Sequence, residues 1–226
     1  MLPVVSFIGF LASGKGSLGS KLADQFSLYH LVVPDLLNSL SNSRNNGQKT
    51  VKKYIHDYVL GGGNIPADLC TELKPFMNQT VETVMDDFYS RGEAIPLGIL
   101  LPALHKKIEL VSEEGKHRAI LLDGFPRQLS DLKAAQHVFG KTLPDLTIWI
   151  DCPEEVARSR YSRRHRDRFE KQVAYFKEHI PLLLPELERT GLVRSESDDS
   201  MTVEKAYIRL LTRLYDNRTW FNIVSS

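Results

Sequence analysis

The stretch Gly9-Phe10-Leu11-Ala12-Ser13-Gly14-Lys15-Gly16-Ser17 carries the pattern G-x-x-x-x-G-K, with the hydroxyl residue displaced by one glycine. Each residue type suits one chemistry. Glycines let successive backbone N–H groups turn inward around an anion, and a helix opening behind them adds the partial positive charge of its N-terminus. Gly9, Ala12, Ser13, Gly14 and Gly16 would wrap the phosphates of ATP, Lys15 would reach the β- and γ-phosphates, and Ser17 would ligate Mg²⁺ or a phosphate oxygen. A second segment, Asp123-Gly124-Phe125-Pro126-Arg127, follows the apolar run Ala119 to Leu122. Asp123 is placed to hold the water shell of Mg²⁺ opposite the phosphate loop, and Arg127 is a planar fork able to clamp a phosphate bidentately.

Both segments need a strand in front of them, and the pattern supplies one. Val4 to Phe10 is apolar and β-rich, and residues 15–27 then place Leu18, Leu22, Ala23 and Phe26 at helical spacing. Further strands are expected at His30 to Val33, Arg118 to Leu122 (ending at Asp123), Leu146 to Ile150 (ending at Asp151) and around Val193. Helices are expected over Leu97 to Glu114, Gln128 to Phe139, most of Glu154 to Glu188, and Met201 to Tyr215. The region from Asp35 to Gly92 is helical but interrupted by a polar run and by Gly61-Gly62-Gly63-Asn64-Ile65-Pro66. Strands alternating with helices imply βαβ crossovers, hence a three-layer α/β fold with a five-stranded parallel sheet and helices on both faces. Ligands bind at the carboxyl ends of the strands in such sheets, where both motifs fall.

Composition narrows the class. With 226 residues, 29 Lys+Arg and 28 Asp+Glu, the net charge is +1, which disfavours a surface built for nucleic acid or anionic lipid. The two cysteines, Cys70 and Cys152, are too few for a disulfide framework or zinc site, and they suit a reducing compartment. The seven histidines show no i, i+4 pair, so metal ligation by histidine is not expected. Residues 1–13 lack the basic start of a secretory signal and run straight into the glycine-rich loop, and no segment reaches the length of a membrane span. A cytoplasmic, monomeric enzyme is expected. Trp149 is expected in the core, and Trp220 in a docked tail.

Arg158, Arg160, Arg163, Arg164, Arg166, Arg168 and Lys171 form a basic cluster. It reads as a catalytic lid, as a solvated helix face or as a nucleic-acid contact; the near-neutral charge and the absence of interleaved aromatics favour the lid.

The motifs together resemble those of the adenylate kinase and UMP/CMP kinase family of nucleoside-monophosphate kinases. The matching pieces are Gly9–Ser17, His30 to Leu37, Gly92 to Leu97, Asp123–Arg127, Ile150 to Val156, Arg163-Arg164, Tyr175 to Pro181 and Gly191 to Arg194, in the family's order over nearly the whole chain. The resemblance implies a single P-loop kinase domain over 1–226, with an acceptor-binding arm at 35–92 and a lid at 163–171. It implies transfer of the γ-phosphoryl of Mg·ATP to a nucleoside monophosphate. Lys15 would support the transferring group, Arg127 would bind the acceptor phosphate, Ile95 would pack on the acceptor base, and Asp35 would shape that pocket. Arg164 would match the arginine that opens the lid, and Lys171 stands where the family usually has another arginine.

The chain also departs from the family's pattern. Asn38 replaces an arginine that grips the acceptor phosphate, and Asp131 replaces the amide that reads the acceptor base. A carboxylate accepts but cannot donate, so Asp131 would select an amine or N–H edge. The 35–92 arm is longer than the family's and the lid shorter, so Arg44, Lys49, Lys52, Lys53, Arg166 and Arg168 are candidate replacement cations. Two alternatives follow: a P-loop kinase for another small acceptor, or a nucleotide-binding paralogue with little kinase activity.

Overall fold

A computed structural model describes residues 1–161 and 166–225, with 166–168 described by their backbone alone. The elements in chain order are β1 (Val4–Gly9), α1 (Lys15–Phe26), β2 (Tyr29–Val32), α2 (Val33–Ser41), α3 (Val51–Leu60), α4 (Ala67–Glu72), a 3₁₀ turn (Lys74–Phe76), α5 (Val81–Arg91) and α6 (Leu97–Glu114). After them come β3 (Ile120–Asp123), α7 (Leu129–Phe139), β4 (Leu146–Asp151), α8 (Glu154–Arg160), α9 (Arg166–Thr190), β5 (Leu192–Glu196), α10 (Val203–Tyr215) and α11 (Arg218–Ser225). The strands form one parallel sheet in the order β2-β3-β1-β4-β5, flanked by helices, as a P-loop NTPase fold requires.

The chain divides into two compact units. The α/β unit comprises Met1–Val32, Val111–Leu129 and Pro144–Ser226, and holds the whole sheet. β1 is central and reads as a near-continuous apolar run because a parallel strand is covered on both faces. Val5, Phe7, Leu121, Ile148 and Ile150 pack with Leu18 and Leu22 of α1, Leu210 and Leu214 of α10, and Trp220 of α11. A second cluster joins Cys152, Val156, Ala157, Phe169 and Val173, with Phe10 and Tyr161 against it. The register pairs Phe7 with both Asp123 and Ile148, and Gly9 with Ile150. The carboxyl ends of β3, β1 and β4 therefore lie side by side.

The helical unit comprises Val33–Leu110 and Ser130–Leu143, so it takes in more chain than the 35–92 arm. Its long insertion is ordered by ordinary devices. Thr50 and Thr80 cap α3 and α5 through their hydroxyls and form a β-bridge with each other. Around that bridge Val51 N–H donates to Gln79 C=O at 2.9 Å and Val81 N–H to Lys49 C=O at 2.9 Å. Val51, Tyr54, Tyr58, Leu73, Val81, Met85, Ile99 and Leu104 are all buried in this unit. Its two buried phenols are satisfied: Tyr54 Oη donates to Ile99 C=O at 3.1 Å, and Tyr58 Oη bonds His105 Nδ1 at 2.8 Å.

Three local expectations change. α2 starts at Val33 directly after β2, without an intervening loop. Residues 218–225 form α11, whose Trp220 is 1% exposed with Phe26 edge-on at 5.1 Å, so the tail completes the core. Trp149 is only half-buried, because β4 turns it outward beneath the guanidinium of Arg194, 4.7 Å from the ring centroid.

Candidate active site

β1 ends at Gly9, where the chain must turn against β4. Gly9 has φ 151°, and a Cβ there would stand 2.6 Å from the Ile150 carbonyl oxygen, so only glycine fits. Ala12 (φ 63°) and Gly14 (φ 99°) are left-handed, and Ser13 N–H closes the turn on Phe10 C=O at 3.1 Å. Alternating handedness of this kind curls backbone N–H groups into an anion-binding concavity. α1 then begins with no side-chain cap, and a Cβ at Gly14 or Gly16 would meet nothing within 4 Å. Open space at an uncapped helix N-terminus is what a phosphate needs.

Lys15 arches back over this loop. Its Nζ donates to Gly9 C=O at 2.9 Å and to Phe10 C=O at 2.8 Å. Burial pushes its pKa below the usual lysine value, while the nearby Asp123 carboxylate and Cys152 sulfur pull it back up. Ser13 is 1% exposed and its Oγ is buried without a hydrogen-bond partner among the described residues. Ser17 is exposed on the first turn of α1.

Asp123 ends β3 and is nearly buried. His30 Nε2 stands 3.8 Å from its Oδ2, beyond hydrogen-bond reach. Gly19 makes room for that imidazole, since a Cβ there would lie 2.7 Å from His30 Cε1. Phe125, 2% exposed, anchors the following turn. Arg127 follows it, with its guanidinium 5.9 Å from the Tyr175 ring centroid on α9. The α/β unit therefore brings Gly9, Ala12, Ser13, Gly14, Lys15, Gly16, Ser17, Asp123 and Arg127 to the carboxyl end of its sheet.

Much of the basic cluster is engaged elsewhere. Arg158 bridges Glu154 (2.6 Å) and Glu170, and Lys177 pairs with Glu154, tying α8 to α9. Arg160 donates to Ser197 Oγ at 3.2 Å and Asp198 C=O at 2.5 Å, pinning the loop after β5. Burial raises the pKa of Cys152 against the pull of Arg160, so Cys152 sits as a packed thiol behind the loop. Lys171 is exposed on α9, whereas Arg163 and Arg164 lie outside the described residues.

In the helical unit, Asp35 is exposed in the first turn of α2 with Asn38 one turn on, and Ile95 is 4% exposed. Asp131 is 2% exposed in the first turn of α7. Of the candidate replacement cations, Lys49 and Lys53 both turn to Asp57, at 2.7 Å and 3.5 Å.

No model of a protein family matches the chain. Individual relatives do. The chain is 22% identical to adenylate kinase isoenzyme 5 of Bos taurus over 223 residues, covering 93% of this chain and 32% of that protein. UMP-CMP kinase 2 of Oryza sativa subsp. japonica is 26% identical over 180 residues, covering 79% and 58%. UMP-CMP kinase of Gallus gallus is 22% identical over 222 residues, covering 93% and 96%. The chain is thus similar, at 22–26% identity, to adenylate kinases and UMP-CMP kinases over most of its length. It spans about a third of the length of the isoenzyme 5 relative and a little over half that of the rice one.

Two features of the site lie inside the matched stretches but were given no role there. One is His30 facing Asp123, which strand register alone does not reveal, since His30 pairs with Leu121. The other is the aromatic pair Tyr175-Phe176 on α9. Two adjacent rings amid Lys171, Gln172, Lys177 and Glu178 were the available signal.

Proposed function

We propose that this chain transfers the γ-phosphoryl group of Mg·ATP to a nucleoside monophosphate, releasing two nucleoside diphosphates. The observation that supports this reading is the convergence, at the carboxyl ends of the strands, of an open phosphate cradle, a half-buried Lys15, the Asp123 carboxylate and Arg127. Lys15 releases the two loop carbonyls and turns to the β- and γ-phosphates, whose charge restores the protonated form that burial disfavours. Among the described residues no three carboxylate, thiol or imidazole groups gather to hold a metal. One carboxylate and one hydroxyl suit Mg²⁺ that arrives on ATP, because this ion keeps its waters and takes phosphate oxygens as partners. Ser17 and Asp123 would hold it.

Arg127 binds the acceptor phosphate, and Arg164 and Lys171 add positive charge. The attacking oxygen is already anionic, so no general base is needed; positioning and charge neutralisation carry the step. Ile95, Asp35 and Asp131 supply the acceptor's base contacts. The location proposed is the cytoplasm, and the active form a monomer.

Asn38, together with the commitment of Lys49 and Lys53 to Asp57, favours a second reading: a nucleotide-binding paralogue with little transfer activity. One assay separates the two. Mg·ATP is incubated with AMP, CMP, UMP, GMP or their deoxy forms, the products are resolved by chromatography, and Lys15→Ala serves as the blank. Diphosphate formed from one acceptor and absent in the blank supports the kinase. ATP binding with no transfer to any acceptor overturns it in favour of the paralogue.

A further inference from the structure

α9 is the helix that leads away from the basic cluster, and it touches both halves of the phosphate machinery with consecutive residues. The Tyr175 ring underlies the Arg127 guanidinium at 5.9 Å and rests in turn on His179, one turn on, with centroids 4.2 Å apart. Phe176 packs ring to ring on Phe10, with centroids also 4.2 Å apart and planes at 38°. Phe10 is the loop residue whose carbonyl accepts from Lys15 Nζ. Two neighbouring side chains on one helix thus touch the two segments that carry these cations, the loop after β1 that leads to Lys15 and the loop after β3 that holds Arg127.

The chemistry of each contact fits a positioning task. A guanidinium on an aromatic face is gripped through its π surface, which fixes the plane of the fork without using an in-plane N–H. Lys171 lies four residues before Tyr175 and His179 four after it, so the three share one stripe of α9.

We propose that Tyr175 and Phe176 are positioning residues: Tyr175 sets Arg127 for the acceptor phosphate, and Phe176 sets the phosphate loop and Lys15 for ATP. The proposal rests on the kinase reading of the site. Initial rates over a grid of ATP and acceptor concentrations test it in wild type, Tyr175→Leu, Tyr175→Phe and Phe176→Leu. Tyr175→Leu raises the acceptor KM about fivefold with the ATP KM unchanged, and Tyr175→Phe, which keeps the ring, restores it. Phe176→Leu raises the ATP KM about fivefold with the acceptor KM unchanged.

Fluorinated phenylalanines at position 175 serve where Tyr175→Leu fails to fold. They keep the shape and weaken the ring's negative face, so the acceptor KM climbs with fluorination. A flat fluorine series, a loss of rescue by Tyr175→Phe, or equal shifts in both KM values overturns the positioning role while wild-type turnover leaves the kinase reading intact. Wild type that binds ATP yet transfers to no monophosphate overturns the kinase reading. Calorimetry then decides the Phe176 half: unchanged ATP affinity in Phe176→Leu overturns it, and about fivefold weaker affinity supports it.

Discussion

Gly16 and Gly19 lie on the same helix, three residues apart, and the structure assigns them opposite responses to the same added methyl group. At Gly16 a Cβ meets no atom within 4 Å, and the residue is already helical. Gly16→Ala therefore removes the glycine entropy cost and stabilises the unliganded protein by about 0.5–1 kcal/mol, or ~1–4 °C in Tm. The same methyl stands in the phosphate cradle, so ATP affinity falls about tenfold, which is ~1.4 kcal/mol. At an ATP concentration near 100 times the wild-type Kd, ATP adds about 2.7 kcal/mol to wild-type stability and ~1.4 kcal/mol to the variant. At Gly19 the methyl would lie 2.7 Å from His30 Cε1, so that imidazole must shift, while Phe7 Cδ1 at 3.4 Å is in ordinary contact. Overpacking of ~1–3 kcal/mol there outweighs the ~1 kcal/mol helical gain, and Gly19→Ala lowers stability while keeping the full ATP response. Thermal and urea unfolding with and without Mg·ATP read all four values. An ATP response in Gly16→Ala equal to wild type refutes the placement of the phosphates at this loop.

Two further outcomes follow from burial. Lys15 has a folded pKa below its unfolded value, so the native state binds fewer protons in the interval between them, and its burial cost fades as pH rises toward 10.5. The urea midpoint of wild type relative to Lys15→Met accordingly rises from neutral pH to pH ~10, and a difference independent of pH contradicts the buried ammonium. Trp220→Ala costs about 3–5 kcal/mol in urea unfolding, since the indole is 1% exposed in the core. An unchanged midpoint means that α11 does not complete the core.

Local signals carried the reading where the physical demand is itself local. The 18-residue α6 begins and ends where its apolar spacing predicts, at Leu97 and Glu114. β1, β3 and β4 lie within a residue or two of their apolar runs, because a strand buried on both faces must be written almost wholly in apolar residues. The helical unit was less legible. Its 35–92 segment showed interrupted helices, but the zipper at Thr50 and Thr80 joins residues 30 apart, and no periodicity reports such a pairing.

The basic cluster marks the limit most clearly. Arg158 and Arg160 look alike in sequence, yet Arg158 is bound by Glu154 and Glu170, and Arg160 by Ser197 and Asp198. The sequence by itself determined the kind of chemistry. Glycine at φ values other residues avoid, a lysine at a helix start and an arginine after a strand-end aspartate are demands that a few adjacent residues make on their own backbone. Tertiary structure alone decided what holds each charge and ring, placing Tyr175 under Arg127, Phe176 behind Phe10 and carboxylates around Arg158. A side chain's partner depends on which segments fold into the same few ångströms, and charge carries no record of that distance.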